Sequence, residues 1–154
     1  MPMERIPEPE LRDDPAQAAA YAAAAGLADR IALEKRHLAP GQAVGTGFAG
    51  MISNSLLHHL DDPAVLWQTV NDAARPGAAL LVMDLLRPVS PEAADELVAR
   101  HAADAPPILR RDFRHSPLAA YRPAEVRTQL RAAGLGRVEV EAVSDRHLLV
   151  WGTR

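Results

Sequence analysis

Residues 50–63, Gly-Met-Ile-Ser-Asn-Ser-Leu-Leu-His-His-Leu-Asp-Asp-Pro, and 79–84, Ala-Leu-Leu-Val-Met-Asp, decide the fold of this chain. The first reads as a buried strand that ends near Ser53 or Asn54 and runs into a turn. Asp62-Pro63 then starts a helix, with Asp as cap and Pro at the first helical position, where its missing N–H costs nothing. Val65, Leu66, Val70 and Ala73/Ala74 recur at helical spacing, and Arg75-Pro76-Gly77 predicts the stop. The second stretch is apolar until Asp84, the pattern of a parallel strand covered on both faces. Strand, helix and strand over about 35 residues make a βαβ unit.

Outward toward the C-terminus, Ser90-Pro91-Glu92 starts a helix with Ala94, Leu97, Val98 and His101 on one side, and Ala105-Pro106-Pro107 ends it. Pro123-Ala124-Glu125 begins the last helix, which carries Val126, Leu130 and Ala133 to a stop at Gly134. Val138-Glu139-Val140-Glu141 alternates with period two, as a half-exposed edge strand does, and His147 to Trp151 is its antiparallel partner across Ser144-Asp145-Arg146. Toward the N-terminus, residues 1–12 read as an extended arm and 13–27 as a helix. Asp14 caps that helix, Gln17 holds the capping-box position, and Gly26 closes an alanine-rich run whose bulk is only Tyr21 and Leu27. Arg30 to Leu33 is a candidate short strand, and residues 39–50, with four of the nine glycines, read as loop. No repeat or linker interrupts the chain, so residues 1–154 read as one α/β domain.

Composition bounds the function. A chain of 154 residues with 48% hydrophobic and 24% charged residues is ordinary for a soluble domain. A net charge of −3 leaves no electrostatic footprint for nucleic acid or an anionic membrane. The densest basic group, Arg110-Arg111 with Arg114, reads as a solvated face rather than a phosphate site. The absence of cysteine excludes disulfides, zinc–thiolate sites and a cysteine nucleophile. No apolar run approaches the ~18 residues of a membrane span. Acidic and proline residues stand where a signal peptide has its apolar core, so a cytoplasmic location is expected.

The segment from Met51 to Pro63 resembles the strand-4 signature of type 11/12 class I S-adenosylmethionine (SAM) methyltransferases. Arg75-Pro-Gly77, Leu81-Val-Met-Asp-Leu85, Arg87-Pro88 and Ala133-Gly134-Leu135 continue the resemblance. Glu4 to Glu10 and Asp13 to Tyr21 look like the arm and first helix of one bacterial subgroup. The likeness thus covers residues 48–154, the recognisable C-terminal half, and extends to 1–22. It implies a truncated Rossmann-like three-layer sandwich, with a mostly parallel sheet and a C-terminal antiparallel strand pair. It also implies SAM as cofactor, bound beyond the carboxyl ends of the parallel strands.

Two features of such enzymes have no counterpart here. One is a Glu/Asp-x-Gly-x-Gly-x-Gly turn after strand one; the other is a ribose-binding carboxylate ending strand two. None of the 20 acidic residues begins such a glycine motif. Only Ala22 to Asp29 lie between the Tyr21 helix and the Arg30 strand, so at least one βαβ unit, roughly 30 residues, is absent. Glu34-Lys35-Arg36-His37 stands where the family's adenine-side acid falls. Gly45-Thr-Gly-Phe-Ala-Gly50 matches G-x-G-x-x-G in letters. A phosphate loop must follow a buried strand and open a helix, however, and here only Gln42-Ala43-Val44 could precede it, so it reads as a surface loop.

By resemblance, Ser53, Asn54, Ser55 and His59 form a remnant cofactor pocket; the plainer alternative is that they cap the turn and satisfy buried backbone groups. Asp84, His115 and Arg146 fall on the substrate side, although Asp84 reads equally as its strand's exit. Pro117 stands where the subgroup continues with an apolar residue. A metal site joining His58, His59, Asp61 and Asp62 is not expected, since adjacent histidines point apart and no H-E-x-x-H spacing exists. No serine has G-x-S-x-G context, and no residue takes a catalytic role.

Methyl transfer requires sulfonium and acceptor held in line about 3–3.5 Å apart. The expectation is therefore a degenerate methyltransferase-family protein, inactive as an isolated chain, whose small-molecule acceptor stays unassigned. The alternative is a non-catalytic binding or assembly module. Loss of the first strands leaves the strand near Met51 with an unpaired edge, which invites a partner chain or a second copy.

Overall fold

The computed structural model describes residues 36–154 without interruption, and before them Arg5, Ala20, 23–26, 29–32 and Glu34. The predicted arm and first helix therefore lie, apart from those few residues, outside the described part. Arg30, Ile31 and Ala32 are turn and irregular backbone, which corrects the strand expected from Arg30 to Leu33. Ile31 stays exposed, so the segment has no buried face to hold it against a sheet.

The first strand, β1 (Phe48–Asn54), is followed by a single 3-10 turn (Leu57–His59), α1 (Ala64–Ala73) and β2 (Ala74–Leu85). β1 and β2 run parallel, with Met51 opposite Leu80 and Asn54 opposite Met83, so the βαβ unit stands where the sequence places it. Asp62 Oδ1 accepts the Ala64 N–H at 2.9 Å, as a cap does, but the helix begins one residue later than expected, with Pro63 at the cap position. The expected helix stop is not formed. Arg75-Pro76-Gly77 forms the opening of β2, and the pairing slips between Phe48–Ala74 and Gly50–Ala79. Gly77 has φ +77°, and its N–H donates to the Arg154 carbonyl at 2.8 Å. Proline and a left-handed glycine here make a bulge in the ladder instead of ending a helix.

After β2 come α2 (Pro91–His101), α3 (Pro107–Ala119), α4 (Pro123–Ala132), β3 (Glu139–Ala142) and β4 (His147–Thr153). Ser90 Oγ caps α2 by accepting the Ala93 N–H. α3 was not expected. Pro106-Pro107, taken as an ending, also begins a helix, because Pro107 occupies a first-turn position that needs no N–H donor. The Glu125 carboxylate closes the start of α4 by accepting the Arg122 N–H at 2.8 Å. β4 lies between β2 and β3 and is antiparallel to both, giving a mixed sheet of order β1-β2-β4-β3.

One face of this sheet carries the core. Leu80, Val82, Val140, Leu148 and Val150 meet Leu66, Trp67 and Val70 of α1 and Val126 and Leu130 of α4. Trp67 Nε1 donates to Gln129 Oε1 at 3.0 Å, and Asn71 Nδ2 to the Ala133 carbonyl at 2.7 Å, which locks the two helices together. On the other face Ile52 is 80% exposed, Leu81 40%, Met83 39% and Trp151 45%. Residues 79–84 were expected to be covered on both faces. Among the described residues they alternate, and the third layer of the expected sandwich is not among them. No helix of the described residues is long and apolar enough to cross a membrane.

Candidate functional site

The carboxyl ends of β1 and β2 lie side by side, and the chain leaves β1 through Ser55, a non-glycine residue with φ +52°. This strained conformation is held by the Ser55 N–H donating to the Met83 carbonyl at 2.9 Å. It throws the chain back over the strand ends into the 3-10 turn.

Asp84 anchors that turn from below. Its Oδ2 accepts the Leu57 N–H at 2.7 Å, and its Oδ1 accepts the Leu85 N–H at 2.8 Å and meets His58 Nδ1 at 2.6 Å. Both side chains of the His58–Asp84 pair are almost wholly buried, at 3% and 2% exposed. With both oxygens already accepting backbone N–H groups, the carboxylate accepts the third contact too, so His58 Nδ1 is the donor. The His59 ring lies 4.1 Å from that of His58.

Arg5 anchors the turn from the other side. Its guanidinium donates to the carbonyls of Ala119 (2.5 Å), His58 (2.6 Å) and Leu60 (3.1 Å) and lies 4.8 Å above the Tyr121 ring. Tyr121 Oη also donates to the Leu60 carbonyl. Burial pushes the Tyr121 phenol above its ordinary pKa, against the pull of Arg5.

Above the turn opens a hollow of about 870 Å³. Asn54, Ser55, His58, His59 and Leu85 form its floor; His101 of α2 and Leu109, Asp112, Phe113 and Ser116 of α3 form its wall. Of the residues singled out from the sequence, Asn54, Ser55 and His59 line this hollow together. Ser53 faces elsewhere, into an apolar cavity of about 190 Å³ shared with Met51, Leu66 and Leu80. Asp84 sits behind His58, His115 is not part of the lining, and Arg146 stands 6.0 Å from the Phe113 ring. The α3 wall was missed because the helix was missed, yet Leu109, Asp112, Phe113 and Ser116 recur at i, i+3, i+4 and i+7, the period that would have found it. The pairing of His58 carries no local signal, because its partner lies 26 residues along the chain.

At the rim, Asp145 Oδ2 meets Arg100 Nη1 (2.7 Å) and His101 Nε2 (2.9 Å), and these two partners hold its carboxyl below the usual range. Burial, helped by the neighbouring Arg146, lowers His147. Arg114 pairs with Asp95 at 2.5 Å, so that part of the basic group on α3 is neutralised locally. No cluster of three or more metal-capable side chains forms among the described residues.

Asp84, at the end of β2, accepts from Leu57, Leu85 and His58 and holds the turn; it is not the counterpart of the ribose carboxylate, which the resemblance places at the end of an earlier strand. Gly45 and Gly47 do take left-handed conformations, but their loop leads into β1 and opens no helix. Among the described residues no glycine-rich turn that opens a helix is present to receive the cofactor.

No protein-family model matches the chain, and no curated protein sequence matches it. Solved structures do. A SAM-dependent methyltransferase from Aquifex aeolicus superposes with a TM-score of 0.59 at 17% identity, over 90% of this chain and 62% of its own. An O-methyltransferase family protein from Burkholderia thailandensis gives 0.60 at 18%, over 89% and 40%. A possible exported protein from Bordetella parapertussis gives 0.64 at 21%, over 92% and 51%. At such identities what is shared is the fold, an α/β fold similar to that of methyltransferases. The chain spans 40–62% of the length of these three structures.

Proposed function

We propose that this chain is a degenerate SAM methyltransferase-family protein that keeps the acceptor side of the site, lacks the cofactor side, and does not turn over by itself. The observation that supports this is the entry to β1, where Gly45 and Gly47 lead into a strand and open no helix. Together with the absence of a glycine-rich turn between Tyr21 and Arg30, it leaves the methionyl part of SAM without its usual glycine turn. The hollow over the turn is of the size that encloses small molecules, and a small-molecule acceptor is the ligand class it suits. Any SAM used at this hollow would be held by groups outside the described residues. The methyltransferase sheet the chain is derived from is the three-layer, mostly parallel one, and a chain without cysteine suits a reducing cytoplasm. Isothermal titration of the purified chain with SAM and S-adenosylhomocysteine is expected to give no saturable heat; micromolar binding of either overturns the proposal.

A second reading is favoured by a specific observation. Among the described residues β1 has a strand on one side alone, β2. The chain would then act as a non-catalytic module that pairs with another strand along this edge. Hydrogen exchange tests it: the outward β1 amides are expected to gain protection as the protein is concentrated or a partner is added.

A further inference from the structure

The two edges of the sheet are built differently. β3, at one edge, carries Glu139 and Glu141 as exposed side chains, and charge on an edge strand repels another chain approaching it. β1, at the other, reads Phe-Ala-Gly-Met-Ile-Ser-Asn over 48–54, with no charge and no proline. Among the described residues no backbone hydrogen bond reaches β1 from any element except β2. An unpaired ladder of strand donors and acceptors is a template for further pairing, and β1 itself carries neither charge nor proline to blunt it.

One face of this strand has room for a neighbour's side chains. Ile52 projects from the bare face and is 80% exposed. On the opposite face Met51 and Ser53 border the apolar cavity of about 190 Å³, which Leu38 and Val44 of the preceding segment also line. A strand laid beside β1 would set alternate side chains against Ile52 and beside that lining.

From this we infer that β1 pairs antiparallel with β1 of a second copy, about a two-fold axis at Met51, joining two four-stranded sheets into one. The inference rests on the edge-pairing reading above and specifies its partner. A two-fold contact brings the same surface to both sides, so the patch must be complementary to itself. A strand with no charge meets its own copy without repulsion, whereas the glutamates of β3 would face each other. Centring the axis on Met51 engages all seven residues of the strand. It sets Gly50 opposite the partner's Ile52, where the glycine leaves space for that side chain. Side chains directly opposite in an antiparallel pair lie on the same face, so the apolar face of each sheet continues into the other.

The test uses the intact chain, whose lack of cysteine allows a single label to be placed. Sedimentation velocity is expected to show a concentration-dependent dimer. A nitroxide on Ile52→Cys is expected to give spectra broadened by close spin–spin contact, while one on Val89→Cys, equally exposed at 80%, stays narrow. Ile52→Lys, at a position that contributes little to the core, is expected to stay folded by circular dichroism and to weaken self-association about tenfold or more through like charges near the axis; Val89→Lys leaves it unchanged. A monomer at every concentration overturns the inference, as does a dimer that survives Ile52→Lys. Protected β1 amides with narrow Ile52→Cys spectra end the two-fold arrangement but leave edge pairing standing. Freely exchanging β1 amides at every concentration end both.

Discussion

The two faces of the sheet are made by the same strands and have opposite fates. In β2, Leu80 and Val82 are buried while Leu81 and Met83, the residues between and beyond them, are about two-fifths exposed. In β4, Leu148 and Val150 are sealed in and Trp151 is not. Nothing in the side-chain chemistry separates the two sets; all are apolar. What separates them is that α1 and α4 lie on one side. A strand rich in apolar residues on both faces suits a sheet with helices on both, and the described residues supply one of those layers.

Four measurements would break or sharpen this contrast. The largest effect is expected for Asp84→Ala. It leaves the buried His58 and the Leu57 N–H without their acceptor and should cost about 3–5 kcal/mol in chemical denaturation, as breaking a buried pair does. Asp84→Asn, which keeps an acceptor for the amide, should cost clearly less. Next is Leu148→Ala on the core face, expected to lose about 2–5 kcal/mol by the same assay. A loss below about 1 kcal/mol would mean that this face is not the core. Third is a pH effect. The folded state lowers the pKa of His147, so protonation favours the unfolded chain. The contribution is whole above the ordinary histidine value of about 6.5 and is lost as pH falls through the lower folded value. Melting temperatures of His147→Gln and the parent chain should therefore converge on acidification. The smallest effect is expected for Leu81→Ser on the bare face, within about 0.5 kcal/mol. A large loss there would show that this face is covered in solution.

The contrast also explains what the sequence could reveal. The βαβ unit was legible because a cap, a helical period and an apolar strand agree over residues 50–84, and the terminal strand pair because period two and a short turn coincide. Arg75-Pro76-Gly77 misled because the same residues that end helices also build bulges; what decides between them is the distant Arg154 carbonyl, which takes the Gly77 N–H. Pro106-Pro107 misled for a related reason, since proline punctuates a helix at either end. At the site, Asn54, Ser55 and His59 were singled out by the resemblance of the segment from Met51 to Pro63, and they line one hollow. The pairing of His58 with Asp84 was not, because it closes across an interval of 26 residues that no local pattern encodes.

The commitment of Asp84 has a consequence for what its presence signifies. A carboxylate that staples a turn serves folding whether or not any reaction occurs beside it. Substitutions that remove it are expected to loosen the turn as well. A strand-end aspartate of this kind is thus a mark of architecture, and its presence is silent about whether the site turns over.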